Sequence, residues 1–275
     1  MLELNKVYNC DCLDGMANLP NGCIDMVITS PPYDNLRDYK GYSFSFEAVA
    51  NELTRVLKPG GVIVWVVGDA TINGSETGTS FRQALYFRDE CKLNLETMIY
   101  EKAGPAYPAN AKSVRYSQVF EYMFVLSKGI PVTHNLIKDR KNRWAGVTNF
   151  GRASSRLKDG SLKIGDKIQA NEYGYRFNIW RVVNGYGYGS KDKIAYSHPA
   201  IFPESLAMDH IITWSNPGEI VLDPFMGSGT TAKMALLSGR KFIGFEISSE
   251  YCGIINTRLT ENFGPAEWIK NGNFD

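Results

Sequence analysis

Two apolar runs end in turn sequences that leave few folds open. Glu219-Ile-Val-Leu-Asp223 passes straight into Pro-Phe-Met-Gly-Ser-Gly-Thr-Thr, and Asp25-Met-Val-Ile-Thr29 into Ser-Pro-Pro-Tyr. Short apolar stretches closed by turn residues read as strands buried on both faces, the mark of a parallel sheet. Further strands are expected over residues 62–67, 98–101, 121–127 and 241–246. Parallel strands need crossover connections, and helical patterns lie between them. Residues 46–57 carry an apolar stripe (Phe46, Val49, Ala50, Leu53, Val56, Leu57) that stops at Lys-Pro-Gly-Gly. Residues 231–237 stop before Gly239, and 248–259 open on Ser-Ser-Glu, so both read as helices with recognisable ends. The expected architecture is an α/β fold with a doubly wound, mostly parallel sheet.

Residues 130–196 break the alternation. They are rich in Arg, Lys, Gly, Asn, Tyr and Trp without regular periodicity, and read as an insertion on the α/β body. The expected organisation is therefore 1–130, an insertion at 131–196, and 197–275. Charge follows the same division. The chain is net +1, yet residues 138–193 hold 13 Lys/Arg against 5 Asp/Glu, a net of +8, leaving −7 on the remainder. Such a segment steers a polyanion, or is simply a solvated basic surface. With 14 Phe, 15 Tyr and 5 Trp the composition is that of a globular protein, not a disordered one. No apolar run approaches the ~20 residues of a membrane span. No basic-then-apolar leader opens the chain, and an odd set of 5 Cys has no framework spacing, so a reducing, cytoplasmic setting is expected.

The turn after Asp223 brings Gly227 and Gly229 to a strand-to-helix junction, where glycine lets backbone approach a ligand and the helix start offers N–H donors. Glu246 closes the next strand. A carboxylate there can accept hydrogen bonds from both ribose hydroxyls of a nucleoside cofactor. Gly227-Ser-Gly229-Thr-Thr-Ala232 also fits the dinucleotide fingerprint, but no Walker lysine follows. In Thr29-Ser30-Pro31-Pro32-Tyr33 two prolines remove donors and stiffen the chain, leaving acceptors beside an aromatic ring. That suits a planar substrate with an exocyclic amine. Taken alone, Pro-Pro-Tyr reads better as a rigid loop with a packed ring.

Taken together and in order, these motifs resemble the β-class, or permuted, S-adenosylmethionine-dependent DNA amino-methyltransferases. Ser30-Pro31-Pro32-Tyr33, the basic insertion and Phe225-Met-Gly227-Ser-Gly229 follow that family's order. Asn9-Cys-Asp11-Cys-Leu13, Leu57-Lys-Pro-Gly-Gly61, residues 121–128 and His198-Pro-Ala-Ile-Phe-Pro203 agree with it. The resemblance implies a Rossmann-like class I methyltransferase fold with S-adenosylmethionine as cofactor. Asp223, Pro224, Phe225, Gly227, Ser228, Gly229 and Thr230 would form the loop around its methionine part, and Glu246 would hold the ribose. Asp11 would reach the adenine amine, and Phe202, within the segment from His198 to Leu206, would help wall the pocket. Ser30 and the Pro31 carbonyl would accept from the target amine, with Tyr33 stacked on a flipped base. Arg140, Lys141, Arg143, Arg152, Arg156 and Lys158 would meet phosphates of double-stranded DNA. Asn142, Asn149, Arg176 and Asn178 are candidates to read base edges.

Ser-Pro-Pro-Tyr is associated in that family mainly with cytosine N4, so N4 is the expected target and adenine N6 the alternative. An NAD(P)-binding oxidoreductase would leave Ser-Pro-Pro-Tyr unexplained and too few strands after the fingerprint. A non-catalytic nucleic-acid-binding protein, and RNA as substrate, also stay open. No Pro-Cys is present for carbon-5 chemistry, and no Cys/His spacing suggests a metal. Cys10, Cys12, Cys23, Cys91 and Cys252 therefore read as small buried residues, and His134, His198 and His210 as structural or DNA-contacting. Trp144, Phe150, Tyr173, Tyr175 and Trp180 could equally form a small core within the insertion. A homodimer and a separate restriction endonuclease, in a restriction-modification pair, remain open as partners. The length leaves no evident room for a nuclease.

Overall fold

A computed structural model describes residues 2–32, 44–103, 114–146, 154–164, 170–183, 185–272 and 274. Tyr33, Asn149, Phe150 and Arg152 lie outside the described residues. The chain divides into two units, a body of Met1–Asn135 with Asn178–Asp275 and a smaller unit of Leu136–Phe177.

The body is built on nine strands: β1 (Lys6–Asn9), β2 (Ile24–Thr29), β3 (Leu57–Val67), β6 (Asn94–Lys102), β7 (Phe120–Ser127), β12 (Ile179–Val182), β13 (Ile220–Asp223), β14 (Lys241–Phe245) and β15 (Ile269–Asn271). A hairpin of β4 (Thr71–Ile72) and β5 (Ser75–Glu76) projects beyond β3. The sheet runs β12-β6-β7-β3-β2-β13-β14-β1-β15. Every neighbouring pair is parallel except the two made by β7. Six α-helices accompany it among the described residues: α1 (Cys12–Ala17), α2 (Phe46–Val56), α3 (Thr79–Asp89), α4 (Glu204–Trp214), α5 (Thr230–Leu237) and α6 (Ser249–Phe263). The α/β, mostly parallel expectation is met.

The core follows from the apolar runs. Leu53 from α2, Trp65 from β3, Phe87 from α3 and Phe245 from β14 are all fully buried in one cluster. Trp65 meets Phe46 and Phe87 edge-on at 5.9 and 5.4 Å, and its indole N–H donates to Gln83 at 2.8 Å. A buried indole needs such a partner.

Helix α2 does not need its Lys-Pro-Gly-Gly stop. Leu57 is already extended (φ −71°, ψ 131°) and pairs with Ile24 as the first residue of β3. The register shift between Ile24 and Met26 absorbs the Pro-Gly-Gly. Gly60 sits at φ 77° with its N–H on the Lys128 carbonyl at 2.7 Å.

The separate unit is narrower than residues 131–196. Residues 178–196 belong to the body, where β12 pairs with β6 as an edge strand. Trp180 goes with them: it is 6% exposed and stacks on the buried His210 at 4.4 Å. Leu136–Phe177 itself contains two short antiparallel pairs, β8 (Arg140–Lys141) with β11 (Tyr173–Gly174) and β9 (Ser154–Arg156) with β10 (Leu162–Ile164). None of its described residues is buried. Trp144, Tyr173 and Tyr175 are about half exposed at 53%, 44% and 52%, so they do not form a small core.

Candidate active site

The sheet order sets the site. β2 and β13 are neighbours in register (Met26 opposite Val221, Val27 opposite Leu222), but the chain leaves them in opposite directions, β2 toward β3 and β13 toward β14. A crevice opens beyond the carboxyl ends of such a pair, where α/β proteins bind ligands. Both sequence motifs begin there.

Asp223 ties them together. It is 4% exposed and accepts from Thr29 Oγ1 at 2.7 Å, the Phe225 N–H at 3.0 Å and Thr231 Oγ1 at 2.6 Å. One carboxylate thus holds the strand leading to Ser30, the start of the glycine loop and the first turn of α5. Burial pushes its pKa up to about 6 against these three hydrogen bonds. Its oxygens are so heavily engaged that Asp223 serves to shape the loop.

The loop needs its glycines. Gly229 caps α5 at φ 82°, and Gly227 lies at φ 55°. A Cβ on Gly227 would stand 3.2 Å from the His198 ring, which itself packs edge-on to Tyr251 at 4.4 Å. The Gly227 N–H donates to Glu246 Oε2 and the Ser248 N–H to Glu246 Oε1, both at 2.8 Å. Glu246 follows β14 and is 8% exposed; burial outweighs those donors and raises its pKa to about 7. On the neighbouring β1, Asn9 donates to the Glu246 carbonyl at 2.8 Å. Asp11 caps α1 by accepting from the Leu13 N–H at 2.7 Å.

A cavity of about 510 Å³ joins these parts. Of the catalytic and cofactor residues that the resemblance implies, Asp11, Ser30, Pro32, Phe202, Asp223, Pro224, Phe225, Gly227, Ser228, Thr230 and Glu246 line it, and Cys10, Cys12 and His198 line it as well. Pro31 is buried and Gly229 turns the chain behind the wall; neither lines the cavity. Sequence reasoning missed Tyr100, Lys102 and Glu121 at the ends of β6 and β7, which also line it, with Lys102 and Glu121 paired at 2.5 Å. Tyr196 was missed as well; its hydroxyl gathers the Gly187 and Ser190 N–H groups at 2.8 and 3.1 Å. The thiols of Cys10, Cys12 and Cys252 are raised by burial to about 11, 12 and 12, so they are no nucleophiles at neutral pH. Cys12, Cys23 and Cys252 are buried as expected, whereas Cys10 and Cys91 are only half-buried.

Of the cations expected to meet phosphates, Arg140, Lys141, Arg143, Arg156 and Lys158 are described, and all are exposed. Arg140 donates to the Tyr175 carbonyl at 3.1 Å and lies 4.5 Å over Phe177. Several base-reading candidates already have protein partners. Arg176 holds Asp139 at 2.5 Å, Asn142 donates to the Asn171 carbonyl at 2.7 Å, and Asn178, in the body, to the Thr97 carbonyl at 3.1 Å.

A glycine loop and a buried carboxylate at the switch point of a parallel sheet define the nucleoside-cofactor class of α/β proteins. The DNA methylase family of N6/N4 amino-methyltransferases matches residues 24–257, and the chain belongs to that family. It is 58% identical to the orphan methyltransferase M.BamHII of Bacillus amyloliquefaciens, over 88% of this chain and 91% of that one. It is 28% identical to the type II methyltransferase M.BglII of Bacillus subtilis, over 92% and 68%. Among solved structures, a DNA modification methylase of Thermus thermophilus complexed with S-adenosyl-L-methionine shares the fold (TM-score 0.65, 20% identity, covering 98% and 99%). So does the PvuII DNA methyltransferase, described as cytosine-N4-specific (TM-score 0.67, 22%, 96% and 91%). The protein is a DNA amino-methyltransferase with a class I methyltransferase fold. Among the described residues no helix is long and apolar enough to cross a membrane.

Proposed function

We propose that the cavity binds S-adenosylmethionine against the glycine loop and that the chain methylates the exocyclic amine of a base flipped out of duplex DNA, cytosine N4 by preference. The observation that carries this reading is the placing of Ser30 and the Gly227–Glu246 pair on one cavity by the ends of three neighbouring strands, β2, β13 and β14. The residues fit the cofactor. Glu246 keeps acceptor capacity beyond its two backbone donors for a ribose diol, and Asp11 keeps Oδ2 for an adenine amine. When bound, S-adenosylmethionine supplies an electrophilic methyl group on a sulfonium.

An aromatic amine is a poor nucleophile because its lone pair is delocalised into the ring. Ser30 Oγ accepts from that amine and holds its nitrogen nearer to tetrahedral, localising the lone pair toward the methyl. The amine nitrogen would gain the methyl group as the carbon–sulfur bond breaks to leave a neutral thioether, and would then lose a proton to solvent, so no strong general base is needed. Positioning and electrostatics do the work. Pro31 and Pro32 stiffen the loop, and Tyr33 stacks on the flipped base, offsetting part of the roughly few kcal/mol of unstacking. The Pro31 carbonyl takes a secondary part, since Pro31 is off the cavity wall.

The cytosine preference rests on the serine of Ser-Pro-Pro-Tyr, and the PvuII neighbour's description supports it. The type II relatives favour an endonuclease partner, and the orphan relative favours a solitary enzyme. Mass spectrometry of nucleosides from DNA treated with the protein tests the reading. N4-methylcytosine is expected; N6-methyladenine alone overturns the base, and no methylated nucleoside overturns the proposal.

A further inference from the structure

Behind the glycine loop lies a cluster of four charged side chains, two cations buried and two carboxylates partly buried, that the catalytic reading does not use. Arg258 of α6 is fully buried and Lys233 of α5 is 4% exposed. They face Asp192 and Glu204, from the segment that enters α4. Arg258 spends every arm of its guanidinium. Nη1 donates to the Ser228 carbonyl at 2.8 Å and to Thr230 Oγ1 at 3.0 Å. Nη2 donates to Glu204 at 2.6 Å and Ser190 Oγ at 3.1 Å, and Nε to Asp192 at 2.7 Å. Lys233 bridges the same two carboxylates at 2.7 and 2.9 Å.

Such a cluster is weak evidence for stability alone, because desolvating four charges offsets much of their attraction. Its value lies in what it orients. Ser228 stands between two glycines at φ 55° and 82°, where the backbone has wide freedom. The peptide after it is pinned at both ends, its carbonyl by Arg258 and the Gly229 N–H by the Met226 carbonyl at 2.9 Å. The other arms hold Ser190, Asp192 and Glu204, the ends of the strap 185–204 whose middle walls the cavity through Tyr196, His198 and Phe202. Strap and loop meet where the His198 ring covers Gly227. Arg258 thus grips both walls from outside the cavity.

We propose that Arg258 is a positioning residue for cofactor binding: it sets the glycine loop and the 185–204 strap to each other across the cavity. The inference rests on the cavity being the S-adenosylmethionine site. A simple Arg258→Met would leave two partly buried carboxylates facing one lysine, so the test pairs it with Glu204→Gln to keep charge balanced, alongside Arg258→Lys. Lysine keeps the charge, but as a point cation it cannot reach Ser228, Asp192 and Glu204 together.

Calorimetric titration of the full chain with S-adenosylmethionine and steady-state methylation of DNA are the readouts. The Kd and KM for S-adenosylmethionine should rise about tenfold in the balanced double variant and less in Arg258→Lys. kcat at saturating cofactor and KM for DNA should stay within about twofold. Arg240 is the control: it is also buried, but its bonds to Ser215 and Ser238 serve no residue of the cavity. Arg240→Met should lose stability and leave cofactor affinity unchanged, whereas a merely structural Arg258 would behave as Arg240 does. Folded Arg258 variants that bind cofactor like the parent, or lose kcat with KM unchanged, overturn the inference. If those variants do not fold, Asp192→Asn and Ser190→Ala carry the test with a rise of about threefold, and no rise overturns it. An unaltered protein that fails to bind S-adenosylmethionine overturns the cavity assignment instead.

Discussion

The body and the Leu136–Phe177 unit solve different problems with the same kinds of residue. In the body, aromatic rings and charges go inside: Trp65, Phe87 and Arg258 are fully buried, and Arg258 is met by two carboxylates. In the smaller unit tryptophan and tyrosine lie half exposed, and cations cover them. Lys138 sits 4.9 Å over Tyr175, Arg140 4.5 Å over Phe177 and Arg143 5.4 Å from the Trp144 ring. Its 10 Lys/Arg against 4 Asp/Glu make it net +6, while the rest is net −5. Burial builds a rigid cavity that holds atoms in place for chemistry. A basic surface whose described residues form no core suits a task that needs contact with phosphates over a wide area. On the proposed function, positioning and recognition are separated along the chain.

The stability consequence is the largest. Trp65→Ala should cost roughly 3–5 kcal/mol, because it empties the centre of the aromatic cluster and orphans Gln83, whereas Trp144→Ala should cost under about 0.5 kcal/mol. Urea denaturation of both variants gives the contrast, and equal losses would break it. Next in size is Glu246→Ala, which should weaken S-adenosylmethionine binding by about a hundredfold, since charge-assisted hydrogen bonds contribute roughly 1.5–3 kcal/mol each. DNA affinity should barely move in that variant. The converse substitution, Lys141→Gln with Arg143→Gln and Arg156→Gln, should leave cofactor affinity intact. It should reduce the slope of log K for DNA against log salt by about one per cation. A cofactor defect in that triple variant would show that the two regions are not separable.

Much of the body was legible because its strands are apolar runs closed by Gly, Pro or Asp. Ile24–Thr29 and Ile220–Asp223 fall within a residue of their sequence reading, and the two motifs they launch share the cavity. Short elements were not legible. Lys6–Asn9, Ile179–Val182 and Ile269–Asn271 span only three or four residues, too few for a period, and join the sheet because its neighbours are already there. The polar helix Thr79–Asp89 carries no clear stripe. Trp180 reads as part of a basic, aromatic stretch, yet pairing with β6 draws it into the body. Lys102 and Glu121 reach the cavity through the β6–β7 pairing, and Arg258 meets Asp192 across 66 residues, a separation that no local pattern reports.

The smallest effect is a dependence on pH that should have opposite signs in the empty and the loaded body. Burial raises the Glu246 carboxyl to about 7 from its usual 4.5, with the nearby Asp223 charge adding to it. Its folded form therefore holds a proton more tightly than its unfolded form. The contribution of Glu246 to stability is lowest above pH 7 and grows as pH falls from about 7 toward 4.5. Asp223 acts in the same direction between about 6 and 3.8. Cofactor binding should run the other way, because ribose hydroxyls donate to the carboxylate and not to the acid. Affinity for S-adenosylmethionine should fall about tenfold for each pH unit below the Glu246 pKa, with proton release on binding near that pH. Calorimetry in buffers of different ionisation enthalpy counts that proton directly. Glu246→Gln should bind weakly at every pH, flatten the affinity profile and abolish the release. DNA binding through the exposed cations of the smaller unit should follow salt and ignore this titration. A profile that stayed steep in Glu246→Gln would move the titrating group elsewhere and remove Glu246 from the ribose.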